Sequence, residues 1–200
     1  MAAYIFQDIA AKGAKLGIQR DSSKKSIDWF RGMAQTITRV SPQNILSDKE
    51  NSPVTTVSKS HIGSLLFYSY NPKGKDTLPF YDKFPLVFIS DLHSDGWSGL
   101  NVHYLPPYLR AKLMDALYKT AINKNDPENM KLAISYKILN SIAKSAQFGP
   151  CYKKYLAGHV VSPIRRVSSE NWDLAVMLPL QRFAKKSAQE VWTESMKAMK

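Results

Sequence analysis

Apolar positions along this chain recur with two different periods, and the change from one to the other marks the expected elements. Between residues 4 and 16, Tyr4, Ile5, Ile9 and Leu16 stand at helical spacing, with Gly13 weakening the middle and Gly17 a plausible stop. A stronger helix follows. Ser22 or Ser23 caps it, Ile27, Phe30, Met33, Ala34, Ile37 and Val40 form one stripe, and Ser41-Pro42 ends it. The polar stretch SDKENSPVTTVSKS, residues 47–60, has no apolar period and reads as a linker.

The period then shortens. HIGSLLFYSY, residues 61–70, reads as a strand closed by the turn Asn71-Pro72-Lys73-Gly74. Leu86 to Ile89 supplies a second strand, and Leu100 to Leu105 a third, in which Leu100, Val102 and Tyr104 alternate with Asn101 and His103. Turn-rich SDLHSDGWSG between them predicts a hairpin with a long loop. So small a sheet cannot bury both faces by itself, so helices must cover it.

Helical spacing returns after Pro106-Pro107, with Leu109, Leu113, Ala116 and Leu117 on one face. Asp126 is placed to cap the next helix, ahead of Pro127 and Glu128, and its broadly apolar run to about Ala146 predicts a central position in a helical layer. Cys151 to Leu156 reads as a brief helix ended by Gly158. Ser169 is the expected cap of ENWDLAVML, which Pro179 interrupts, and a last helix is expected from Ser187 to Met199. The class is therefore α+β: a small antiparallel β-sheet, SH3-like in its curl, covered by several α-helices. The boundaries are an N-terminal helical arm at 1–46, the linker at 47–60, a core at 61–183 and a C-terminal helix or tail at 184–200.

Charge changes the picture more than composition does. An apolar fraction of 44% is that of an ordinary soluble domain, but 28 Lys and Arg against 16 Asp and Glu leave a net +12. Such a surface suits a polyanion: nucleic acid, an anionic membrane face or an acidic protein. The excess lies on both flanks of the neutral middle, most of it beyond residue 120. There Lys144, Lys153, Lys154, Arg165, Arg166, Arg182, Lys185 and Lys186 are interleaved with Tyr152, Tyr155 and Trp172. Cations contact phosphates by charge, and Tyr152 and Tyr155 are candidates for stacking on an exposed base. The alternative is that these are solvated faces of helices whose aromatics are buried. No sequence-reading helix motif is present, so DNA binding is expected to be sequence-independent.

Other chemistry is weakly signalled. Asp91-Leu92-His93 resembles the Asp-x-His start of a metallophosphoesterase, yet the remaining histidines are only His61, His103 and His159, and no second ligand motif accompanies them. The single cysteine, Cys151, beside Gly-Pro and Tyr, reads as a packing residue and excludes an internal disulfide. No metal, cofactor or catalytic residue is expected, and no run approaches the ~18 apolar residues of a membrane helix. The chain is read as cytoplasmic, or assembled from cytoplasm into a particle.

Four blocks carry a family resemblance: FYSYNPKGKDTLPFYDKFPLVF, DGWSGLNVHYLPPYLRAKLMDAL, FGPCYKKYLAGHV and ENWDLAVMLPLQRF. Together they span roughly residues 61–183 and resemble proteins of T4-like tailed bacteriophages, including the DNA end protectors. The resemblance implies a protein of virion and host cytoplasm that sits on the ends of packaged linear double-stranded DNA and shields them from host exonuclease, without turnover. Other virion proteins or a host exonuclease are further partners it implies. It supplies no catalytic residues. The alternative is a structural protein of the neck, tail or baseplate with a basic contact surface; a metal enzyme at Asp91 and His93 ranks last.

Overall fold

The computed structural model describes residues 4–48, 51–121, 127–143 and 146–199. In chain order the helices are α1 Ile5–Lys15, α2 Lys24–Thr36, α3 Pro42–Ser47, α4 Pro107–Ala121, α5 Glu128–Ala143, α6 Trp172–Met177 and α7 Ala188–Ala198. The strands are β1 Ser52–Val54, β2 Leu65–Phe67, β3 Tyr81–Asp82, β4 Leu86–His93, β5 Gly96–Asn101, β6 Tyr152–Leu156, β7 Ile164–Val167 and β8 Phe183–Ala184. Among the described residues six strands form one antiparallel sheet in the order β1-β7-β2-β4-β5-β6, and β3 pairs with β8 in a separate ribbon. This is the α+β class expected from the sequence.

Alternation along the strands divides the core between the two faces of the sheet. Leu65, Phe67, Leu86, Phe88, Leu100 and Val167 pack with helix residues such as Phe6, Phe30, Leu113, Leu117, Trp172 and Val191. Leu66, Val87, Ile89, Trp97, Tyr155 and Ile164 turn to the other face, where they meet Tyr68 and Tyr70. That second cluster exists because the sheet curls. β2 and β6 are three strand spacings apart, about 14 Å in a flat sheet, yet the rings of Tyr68 and Tyr155 meet edge to face at 5.6 Å. The curl goes far enough for the chain beyond β2 to pair with the chain beyond β6. Tyr70 bridges Val160, and Val161 N donates to Ser69 O at 3.0 Å. The sheet is thus barrel-like, and its second face is filled by its own aromatics.

Several local expectations are revised. Residues 47–60 contain β1, which pairs with β7 in register Ser52 to Arg166, and Phe6, Phe30 and Ile45 of the N-terminal segment belong to the main core cluster. The third strand runs over Gly96–Asn101, with a turn at Ser94-Asp95, while Val102–Tyr104 is a 3-10 turn. Cys151 to Leu156 is mostly strand, because Tyr152–Leu156 pairs with β5. Central burial falls to α6, all of whose residues are buried. In α5 Leu132, Ser135 and Leu139 are buried, whereas Ile134, Tyr136 and Ile138 are half-exposed. Its expected cap, Asp126, lies outside the described residues.

Two glycines permit close backbone approach. Gly63 has φ +86, and a Cβ there would stand 2.4 Å from Leu132 O of α5. At Gly99 a Cβ would meet Phe88 O at 2.1 Å, across the β4–β5 pairing. Gly99→Ala is therefore expected to cost about 3 kcal/mol, the upper part of the overpacking range, read as a lower urea midpoint at unchanged slope. An alanine variant as stable as the parent would contradict this register.

Candidate nucleic-acid interface

β6 places two neighbouring lysines in different surroundings because successive side chains on a strand point to opposite faces. On one face Tyr155 enters the aromatic cluster, 5% exposed, and its hydroxyl accepts from Asn101 Nδ2 at 2.9 Å. Lys153 shares that face, and its ammonium lies 4.6 Å from the centroid of the Tyr104 ring. Burial pushes the Lys153 pKa below the usual lysine value. Among the described residues its ammonium makes no hydrogen bond or ion pair. On the opposite face the exposed Lys154 pairs with Asp95 at 2.9 Å, and the Tyr152 hydroxyl donates to Asp91 and lies 2.8 Å from Ser90 Oγ.

Lys153 and Lys154 border a cleft of about 180 Å³ whose lining includes Tyr70, Leu78, Phe80, Asp82, Tyr104 and Tyr155. The β3–β8 ribbon supplies the opposite wall. There Phe80 meets Tyr104 at 6.0 Å and Phe183 at 6.4 Å between ring centroids. Lys186 stands over the Phe80 ring at 4.8 Å and is ion-paired with Glu194 of α7. α7 is anchored beside it by a capping box, in which Ser187 and Glu190 satisfy each other's backbone N–H groups. Lys185, in the left-handed region at φ +69, donates to Asp76 O at 2.9 Å and Leu78 O at 2.7 Å, fixing the loop at the rim.

Beneath the cleft is a buried polar node. Asp82, 3% exposed, is approached by His103 Nδ1 at 2.6 Å, Asn101 Nδ2 at 3.2 Å, Phe84 N at 3.1 Å and Arg182 N at 3.4 Å. Burial alone would raise the Asp82 pKa, but His103 and the other donors outweigh it and hold the carboxyl below its ordinary range. His103 is pushed the same way, downward, by burial against the pull of Asp82. Its Nε2 is buried and unpartnered among the described residues, so the neutral ring protonated at Nδ1 suits the site. Arg110, also buried, donates to Leu105 O, Val176 O and His103 O at 2.7, 3.1 and 3.1 Å. It ties the turn before α4 to α6, and burial pushes its pKa down to about 10.

The remaining candidates are spread over other parts of the molecule. Arg165 Nε donates to Leu46 O at 2.6 Å, clasping α3. Arg182 donates to Pro179 O, Gln181 O and Val40 O at 2.8, 2.7 and 2.7 Å, so it braces the chain between α6 and β8. The guanidinium of Arg166, on β7, makes no hydrogen bond or ion pair among the described residues. Lys144 lies outside the described residues. The stacking assignment of Tyr155 is corrected, because both the ring and the hydroxyl are consumed inside the barrel.

Asp91 is held by Tyr152 and Ser90, and His93 Nε2 lies 2.7 Å from Ser98 Oγ. Among the described residues no group of three or more His, Cys, Asp and Glu could hold a metal ion, nor is any helix long and apolar enough to cross a membrane. The Cys151 thiol is buried, and burial pushes its pKa up to about 12, so it stays protonated. Sequence reading missed the cleft walls, Phe80 and Tyr104. The one signal that could have found them is their density of aromatics, which by itself says only that a core is near.

Comparison with curated proteins and with solved structures gives no match. The family model described as phage T4 terminal DNA protecting protein matches residues 20–195. That range contains β1 to β8 and both walls of the cleft, and the chain therefore belongs to the phage T4 terminal DNA protecting protein family.

Proposed function

We propose that this protein binds the ends of linear double-stranded DNA through phosphate contacts and shields them from exonuclease, without turning over a substrate. The observation that carries this reading is the family match over residues 20–195. The net charge of +12 supports it, since a polyanion is the natural partner of such a surface. Lys153, Lys154, Lys185 and Lys186, gathered around one cleft, are the core of the proposed contact. Arg166 extends it across the sheet, and Lys144 is a further phosphate contact. Arg165 and Arg182 add charge but also hold the backbone together. The reading places the protein in the virion and, on injection, in the host cytoplasm.

A blunt linear duplex is expected to bind more tightly than a closed circle of equal length and to resist an end-dependent exonuclease. Equal affinity for the two, with no protection, would remove the end-specific reading. The outcome is independent of base sequence, because phosphate contacts carry no sequence information.

A further inference from the structure

We propose that the cleft between β6 and the β3–β8 ribbon receives one frayed nucleotide from the DNA end, with its phosphate on the Lys153 ammonium and its base against Phe80. The inference rests on the DNA-end reading and gives that reading a site.

The first support is the state of Lys153. A partly buried ammonium normally has a carboxylate partner, because desolvating a charge is costly. Here it has only the face of Tyr104 at 4.6 Å and an opening onto the cleft. Asp82 reaches the same cleft, but both its oxygens are already engaged, by His103 and Asn101 on one and by backbone N–H groups on the other. The unsatisfied charge in the cleft is therefore positive. The Lys186 charge, over Phe80, is already paired with Glu194, which leaves Lys153 as the cation open to a phosphate.

The second support is size and surface. About 180 Å³ holds one base, with its sugar and phosphate left at the border beside Lys153, whereas a base pair does not fit. Half-exposed Phe80 offers an aromatic wall of the kind on which unpaired bases stack. A stacked interior base pair cannot enter. A terminal pair opens most readily, since it has a stacking neighbour on one side only, and flipping a base costs least where pairing is already weak. Selectivity for ends then follows from the dimensions of the mouth.

The test uses the full chain and a 5′-phosphorylated blunt duplex, compared with the same duplex closed at both ends by hairpin loops. Lys153→Gln and Phe80→Leu are each expected to weaken binding to the open duplex about tenfold, the order of one lost stacking or phosphate contact. In Phe80→Leu, binding to the closed duplex should stay within about twofold, because it rests on the lysines and not on the ring. Free deoxynucleoside 5′-monophosphate should compete for the open duplex only. If the parent protein prefers open ends but neither variant nor the mononucleotide alters that preference, the cleft assignment fails and end binding stands. If the parent binds both duplexes equally, the end reading itself fails.

A measurement on the unaltered protein covers the case in which a variant does not fold. A duplex carrying photoreactive 5-iodouracil at its terminal position should crosslink to peptides containing Phe80 or Tyr104. Label placed well inside the duplex should not. Terminal crosslinks found only elsewhere would overturn the proposal.

Discussion

Replacing Asp82 with alanine is expected to lower the unfolding free energy by about 3–5 kcal/mol, because it leaves several buried donors unpaired at about 1–3 kcal/mol each. The carboxylate accepts from four donors in a region with almost no solvent: His103 Nδ1, Asn101 Nδ2 and the backbone N–H groups of Phe84 and Arg182. Alanine leaves them to pair with nothing, and the Nε2 atom of His103 has no spare partner to offer. Urea unfolding followed by circular dichroism measures the loss. A cost below about 1 kcal/mol would mean that the node is solvated or rearranged.

The same node sets a pH dependence. His103 has a folded pKa below its unfolded value, so below about pH 6.5 the unfolded chain takes up a proton that the folded chain resists. Stability is thus complete above that pH and declines as the solution is acidified towards the folded pKa. Asp82, with its folded pKa also depressed, adds a loss of the same sign further down, below about pH 3.9. Buried Asp173 is shifted upward by burial despite Arg31, and opposes the trend only in the carboxylate range. The melting temperature should therefore fall on acidification from about pH 6.5 to pH 5, and fall less in His103→Gln.

Raising salt from about 50 to 200 mM is expected to weaken DNA binding by 10²- to 10⁴-fold, given a slope of about −0.9 per phosphate and four to seven contacts. Removing one contributing lysine, as in Lys154→Ala, should make the slope shallower by about one contact. Arg165→Ala and Arg182→Ala should instead act mainly on melting temperature, because those guanidiniums hold the carbonyls of Leu46, Pro179, Gln181 and Val40. Fluorescence anisotropy across a salt series, beside thermal melts, separates the two classes. Binding that is flat in salt would overturn the phosphate-contact reading.

What was legible in the sequence is what short-range chemistry decides. α2, capped by Ser23, and α7, with its Ser187 and Glu190 box, were readable because a helix closes its hydrogen bonds within four residues and advertises its ends locally. The paired apolar runs at Leu65 and Leu86 were readable for a similar reason. β6 was not. Tyr-Lys-Lys-Tyr-Leu is too short to show a period, and only hydrogen bonding to β5 makes it a strand. β1 was hidden by its polar composition, since its partner β7 lies more than a hundred residues away.

The sequence by itself determined an α+β chain with a basic surface and the blocks of residues that carry its family. Tertiary structure alone decided which cations face outward and which are spent inside. Lys153 and Lys154 are adjacent and chemically identical, yet one is desolvated over Tyr104 and the other is paired in water with Asp95. Tyr152 and Tyr155 divide in the same way. Composition is blind to this division because it depends on the pleat of a strand and on the curl that brings β6 against the chain beyond β2, and both are set by contacts distant in sequence.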